Sequence, residues 1–345
     1  LIILSSSWLG YEIVNLLAPN SWDVFTIVSG GVPIGITITS WIFYFLKDIF
    51  SLGRTLGAVV TLVSFCVSYV IHLANKRAYR FKGLKKTEMI LFGYLFIMFL
   101  RLVSDGFLSE GRVSSGTIFS DLPFHMSIIN SFAIGGNRNK KIPETPFYSG
   151  ERLSYPIIPD FYSSVLMACG GASLRVSITV PTMILLAGLL FAIRRLAMQF
   201  SRDNYIVELS VVFFIFASGT GWRYYFYEDA RRNPNVNLVH CFFHDTFTFW
   251  IHSLIHFLLP QRSALFSMIP AILCISIFNC IAKNPSKEIK SALLAGIFMG
   301  ALPMISAHSY IGIGEYALFI CALTFPYFDF KKWKETIIAW CCFGI

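Results

Sequence analysis

The chain has 345 residues, of which 55% are hydrophobic, 16% aromatic and only 14% charged, and its mean hydropathy is +0.64. A soluble domain of this size carries far more polar surface, so the composition excludes a soluble globular protein and indicates an integral membrane protein. The net charge of +9 sits in short loops beside apolar runs, which fits membrane topology and argues against nucleic acid as a partner.

The apolar runs are long enough to span a bilayer and are separated by short charged turns. That predicts α-helical spans, because barrel strands would alternate apolar and polar residues. The expected fold class is all-α, a polytopic transmembrane helical bundle with lumenal or extracytoplasmic loop helices. In chain order the apolar segments are 24–46, 54–73, 87–104, 175–193, 205–219, 263–282, 291–306, 308–326 and 336–345, with residues 1–18 as part of another. Three regions follow: transmembrane helices over 1–104, a lumenal loop over 105–174, and further transmembrane helices over 175–345. The eight cysteines are scattered, mostly in apolar runs and with no CxxC pair, and read as small buried hydrophobes. The chain lacks an initiating Met and ends within the run TIIAWCCFGI, so a longer gene product is expected.

The loop at 74–86 holds Lys76, Arg77, Arg80, Lys82, Lys85 and Lys86 and no acid. The positive-inside rule places it in the cytoplasm, which puts residues 105–174 on the lumenal side one span later. Arg194, Arg195 and Arg202 return to the cytoplasm, and 220–245 is again lumenal. The segment HDTFTFWIHSLIHFLLPQRS would, as a span, put the basic loop KNPSKEIK on the wrong side. Reading 244–262 as a lumenal interfacial or re-entrant helix removes the conflict, and His244, Asp245, His252 and His256 with Trp250 suit an interface. Asp121, His125, Asp160, Gln261, Arg262 and His308 then share the lumenal side.

Residues 120–161 are too polar for a connector. Ser120 is a good N-cap and Pro123 suits a first turn, with Leu122, Met126, Ile129 and Ala133 on one stripe and Asp121 and His125 on the neighbouring face. A carboxylate at a helix start beside a His can take a proton from a hydroxyl; the structural alternative is a cap and a satisfied interface His. Pro159 and Asp160 open a short helix closed by Gly170 and Gly171, where Asp160 reads first as a cap. Glu151 and Arg152 sit in a loop and could pair, hold substrate or be solvated. His240/His244 and His252/His256 form HxxxH pairs without the Glu of a zinc protease, so interfacial packing is the default. Arg262, at a lumenal helix start, suits a phosphate, and Arg223, Arg231 and Arg232 could add to it or face headgroups.

The run SDLPFH…INSFAIGGN…PETPFYSGERLSYPIIPDF, with the later LLPQRS and ALPMISAHSY, resembles in order and spacing a group of polytopic proteins described as GT-C-type glycosyltransferases, over roughly residues 85–330. The resemblance implies transfer of a hexosyl or pentosyl group from a polyprenyl- or dolichyl-phosphate donor on the lumenal face. The acceptor would be a glycan, lipid or protein. By the same resemblance Asp121 is the base or metal contact with His125 beside it, and Gln261, Arg262 and His308 contact donor phosphate or acceptor. Glu151, Tyr155 and Asp160 of the long motif are further substrate-binding candidates. In typical members the acidic loop follows the first span, whereas here at least three apolar segments precede it. No cofactor is required, a divalent metal ion being the one candidate, and membrane lipid is the expected surrounding partner in the endoplasmic reticulum or plasma membrane. No GxGxxG follows a strand and no GxxxxGK[ST] is present, as a lipid-linked donor would lead one to expect. The competing functions are a transporter or flippase for a lipid or small molecule, for which Glu315 within a span is the residue to watch, and a membrane protein without chemistry.

Overall fold

The computed structural model describes residues 1–75, 83–106, 121–216, 258–283 and 289–324. It is an all-α bundle of eleven α-helices, with no strand among the described residues. These are α1 (Ile2–Leu17), α2 (Val24–Phe50), α3 (Arg54–Ala74), α4 (Lys86–Gly106), α5 (Leu122–Ala133), α6 (Ile158–Ala168), α7 (Leu174–Phe200), α8 (Asn204–Phe216), α9 (Arg262–Lys283), α10 (Ile289–Ala301) and α11 (Ala307–Thr324). Five of them, α2, α3, α4, α7 and α9, are long and apolar enough to cross a membrane. The expected segments at 24–46, 54–73, 87–104, 175–193 and 263–282 each fall within a helix; 205–219 and 308–326 match helices as far as they are described, to Phe216 and Thr324, and 291–306 runs over α10 and the 3-10 turn Leu302–Met304 after it. Residues 336–345, the HxxxH histidines, Arg223, Arg231, Arg232 and most of the expected interfacial helix lie outside the described residues.

Burial separates the helices into layers. In their most apolar windows α9 is 78% and α2 72% buried, against 28% for both α3 and α4. The first pair therefore forms the protein interior, and the second presents its side chains to the surrounding medium. Close packing between α1 and α2 depends on small residues. A Cβ added at Gly35 would lie 1.8 Å from the Ser6 carbonyl oxygen, and one at Gly10 would lie 1.9 Å from that of Gly31. Ser6 and Thr39 hydroxyls bond across the same contact at 2.9 Å. Backbones that approach this closely gain dispersion contacts, which drive helix association where no hydrophobic effect operates.

Each end of the bundle is fastened by charge. At one end Asp23 caps α2 through Thr26, its Oδ1 accepting from the amide at 2.9 Å and the hydroxyl at 2.7 Å. Its Oδ2 accepts from Arg194 Nη1 at 3.0 Å, and Arg194 Nε donates to Glu88 Oε1 at 2.7 Å. Arg194, part of a basic turn in the sequence, is thus buried between α2, α4 and α7. At the other end Lys47 is buried, with its ammonium on Asp48 at 2.7 Å and on the Lys140 carbonyl. Arg138 Nε donates to the Leu52 carbonyl at 2.7 Å. These contacts latch the loop after α5 onto the α2–α3 turn.

The α1–α2 contact gives a direct test. Gly35→Ala places a methyl group against backbone that cannot retreat, and is expected to lower stability by about 3 kcal/mol or more. Gly93→Ala on α4, where a Cβ meets nothing within 4 Å, is expected to be neutral or mildly stabilising. Thermal unfolding of the two variants in detergent, monitored by fluorescence-detected gel filtration, separates them; equal melting temperatures would show that the α1–α2 approach is not tight.

Candidate functional site

The starts of α5, α6 and α9 converge at the end of the bundle held by Lys47 and Arg138. Pro123 sits in the first turn of α5 and Pro159 in that of α6, where a missing amide proton costs nothing. Helix α6 closes at Gly171, whose φ of 71° is the left-handed region that favours glycine. The chain then enters α7 through the Ser173 cap, which accepts from the Val176 amide at 3.3 Å. On α5 the buried face holds Leu122, His125, Ile128, Ile129, Phe132 and Ala133. His125 thus belongs to the buried stripe itself and not to the neighbouring face.

The centre of the site is Asp160, which has no exposed surface. Its Oδ2 lies 2.8 Å from His125 Nδ1, and its Oδ1 accepts from Arg262 Nε at 2.9 Å. Arg262 Nη2 also donates to the Pro159 carbonyl at 2.9 Å and to Ser163 Oγ at 2.6 Å. Ser163 Oγ donates a hydrogen bond to the Ser177 carbonyl at 2.8 Å, and Ser164 Oγ donates to the Ile129 carbonyl at 2.9 Å. One carboxylate therefore joins α5, α6 and α9, and the two serines extend the bonding to α7 and strengthen it to α5. Asp160 is not the helix cap that its position suggests. The N-cap is Ile157, and the carboxylate is drawn inward because a buried guanidinium needs it more than exposed amides do.

A carboxylate paired with Arg262 only accepts hydrogen bonds, so the proton of this contact resides on His125 Nδ1. That orients the imidazole and leaves Nε2 without a partner among the described residues. The ring is walled by Phe124 at 5.6 Å and Tyr155 at 6.0 Å between centroids, and Phe124 stacks on Phe147 at 5.2 Å. Burial, and then the negative charge of Asp160, raise the Tyr155 phenol above its ordinary pKa; the nearby Ser263 and Arg262 partly offset this. Tyr155 consequently keeps its proton throughout the neutral range and can donate it.

Asp121, the residue before α5, is partly buried. Its Oδ2 accepts from Gln261 Nε2 at 3.0 Å, while Oδ1 has no partner among the described residues. The expected pairing of Asp121 with His125 is replaced by two longer-range pairs, Asp121 with Gln261 and His125 with Asp160. The structure thus brings Asp121, His125, Tyr155, Asp160, Gln261 and Arg262 together. It leaves Glu151 and Arg152 exposed in their loop, with the Glu151 backbone bonded to Thr145 and Tyr148, and His308 exposed at the start of α11. Glu315 is likewise exposed, on α11. Of the Arg262 nitrogens Nη1 is buried without a hydrogen-bond partner. Sequence reasoning did not single out Ser163, Ser263 or Phe124. Ser163, three residues after Asp160 in an otherwise apolar helix, carried the one available signal.

Among the described residues no three His, Cys, Asp or Glu side chains gather so as to hold a metal ion. No family model, curated protein or solved structure matches this chain.

The ion pair at the centre makes a thermodynamic prediction. Asp160→Leu or Arg262→Met leaves its partner charged in a buried site, and each is expected to cost about 3–5 kcal/mol. Combining Asp160→Leu with Arg262→Met should recover a large part of that loss. Detergent-solubilised melting curves of the single and double variants measure the coupling; simple addition of the two losses would mean that the pair does not act as a unit.

Proposed function

We propose that the protein is a multi-pass membrane glycosyltransferase that moves a sugar from a polyprenyl-phosphate donor to an acceptor hydroxyl on the lumenal or extracytoplasmic face. The observation that carries this reading is the state of Asp121: a carboxylate at the bundle end, held through one oxygen by Gln261 with the other without a partner among the described residues, beside a rigid polar core. Such a group is positioned and still able to accept a proton, as a general base requires. The resemblance of the 120–161 motif to GT-C-type enzymes supplies the reaction class.

In this mechanism the acceptor oxygen attacks the sugar C1 as its proton passes to Asp121 Oδ1. The bond from C1 to the donor phosphate oxygen breaks, and the phosphate leaves with the electron pair. The sugar passes through an oxocarbenium-like state, and a single displacement inverts C1. His125, oriented by Asp160, offers Nε2 as a second polar atom lining the site, and Tyr155 offers a hydrogen-bond donor. Arg262, buried against Asp160, Pro159 and Ser163, belongs to the core that holds these groups in place. A lipid-linked donor suits this location, because its phosphate lies at headgroup depth. The basic loop at 74–86 gives the orientation, cytoplasmic for that loop and lumenal for the opposite end where the site lies.

Membranes bearing the full chain, offered a panel of radiolabelled polyprenyl-phosphate sugars, test the reading. Asp121→Asn is expected to reduce label transfer at least about 100-fold at unchanged expression and melting temperature. Transfer that survives this substitution, or a panel in which no donor is consumed, would remove Asp121 as base, and lipid transport would become the reading to test.

A further inference from the structure

A second feature lies at the opposite end of the bundle and belongs to no part of the site above. Between α2, α4 and α7 runs a cavity of about 530 Å³, bounded among others by Val28, Val32, Phe96, Ile184, Ala187 and Phe191. Its wall is almost wholly apolar. The one hydroxyl, on Ser29, is bonded back to the Thr26 carbonyl at 3.1 Å, so nothing in the cavity holds water. Val28 and Phe96 are 45% and 41% exposed, which shows that it opens sideways through the faces of helices able to cross a membrane. From Val24 to Val32 its α2 wall rises ~12 Å, close to the depth of one leaflet's hydrocarbon, ~15 Å.

The end of this groove is charged. Phe25 stacks on Phe191 at 4.9 Å, and Phe92 meets Phe191 edge-on at 5.3 Å. One helical turn beyond these rings lies the Asp23–Arg194–Glu88 cluster, in which both carboxylates face inward onto Arg194. Next to the cluster stand Lys85 and Lys86, both exposed, and Arg195, whose Nη2 donates to Ser21 Oγ at 2.8 Å. Lys85 is tied to the cluster by its own amide, which donates to Glu88 Oε2 at 3.0 Å. Among the described residues next to the cluster, the outward-facing groups are three cations, Lys85, Lys86 and Arg195, and one carboxylate, Glu208, which accepts from Thr87 Oγ1 at 2.5 Å; cations outnumber acids above an apolar slot of acyl-chain depth.

We propose that this groove binds one anionic phospholipid of the bilayer, its acyl chain between α2, α4 and α7 and its phosphate against Lys85 and Arg195. An anionic headgroup matches the cations, and a hydrocarbon chain matches a cavity that offers neither hydrogen bonds nor room for ordered water. Placed there, the lipid fills the gap between interior helix α2 and the outlying α4, and it ties the Arg194 cluster to the bilayer.

Native mass spectrometry of the full chain, released from detergent after incubation with dioleoyl phosphatidylglycerol or dioleoyl phosphatidylcholine, tests the proposal. The wild type is expected to retain one phosphatidylglycerol per chain, with roughly a thirtyfold preference over phosphatidylcholine for two engaged cations. Ala187→Trp, which fills the slot, is expected to abolish retention of that lipid, whereas Val180→Trp on the same helix is expected to leave it intact. Lys85→Gln combined with Arg195→Gln should retain the two lipids equally. Equal retention by the wild type, an undiminished preference in the double Gln variant, or undiminished retention by Ala187→Trp would overturn the assignment.

Discussion

Asp160 is the constraint around which the described structure is arranged. A carboxylate with no exposed surface is tolerable only where its charge is matched and its oxygens are bonded, because the desolvation penalty of a lone ion amounts to several kcal/mol. Arg262 matches the charge and His125 occupies the second oxygen. Neither partner is local, since they lie 102 and 35 residues away in sequence. Satisfying one side chain therefore dictates how three helix starts meet, and the position of every other residue at that end follows from their meeting.

The same logic recurs at the other end with Arg194 between Asp23 and Glu88. Between the two ends the interior contains few groups that need such matching, and contact there is set by shape. Glycines at 10, 31 and 35 let two backbones touch, and the serine and threonine hydroxyls beside them find partners in the facing helix or in their own preceding turn. The division has a physical cause. In an apolar medium, association gains nothing from hiding hydrocarbon, so specificity comes from steric fit in the middle and from ionic matching where the chain nears water.

The helices were legible in the sequence because apolar run length reports directly on transfer into hydrocarbon. The residues gathered at the site were partly legible for a different reason. Asp121 and His125 stood out as ionisable groups beside apolar runs, but their i, i+4 spacing suggested that they face each other. Spacing along a helix fixes direction only, and a stronger partner elsewhere decides the contact. Asp121 lies at the helix boundary, where the side chain is free to turn to Gln261, whereas His125 lies on the buried stripe, where Asp160 is the available acceptor. The buried role of Arg194 was not legible, because positive-inside counting treats every cation near a span end alike. Its two acids, at positions 23 and 88, flank other helices and become neighbours only through tertiary packing.

The arrangement also separates rigid parts from reactive ones. Asp160, Arg262 and Ser163 are buried and joined through the Arg262 guanidinium, and none of them can move without disturbing the junction of three helices. In the proposed reaction the acting groups are those this core holds in place: His125 Nε2, the Tyr155 hydroxyl and Asp121 Oδ1. A site built this way keeps its reorganisation cost low, because the atoms that would face a substrate are already oriented by bonds that do not change during reaction. It follows that substitutions in the core should act through stability, and substitutions at the rim through turnover. That difference separates a supporting residue from a catalytic one, even where both lie within one hydrogen-bonded cluster.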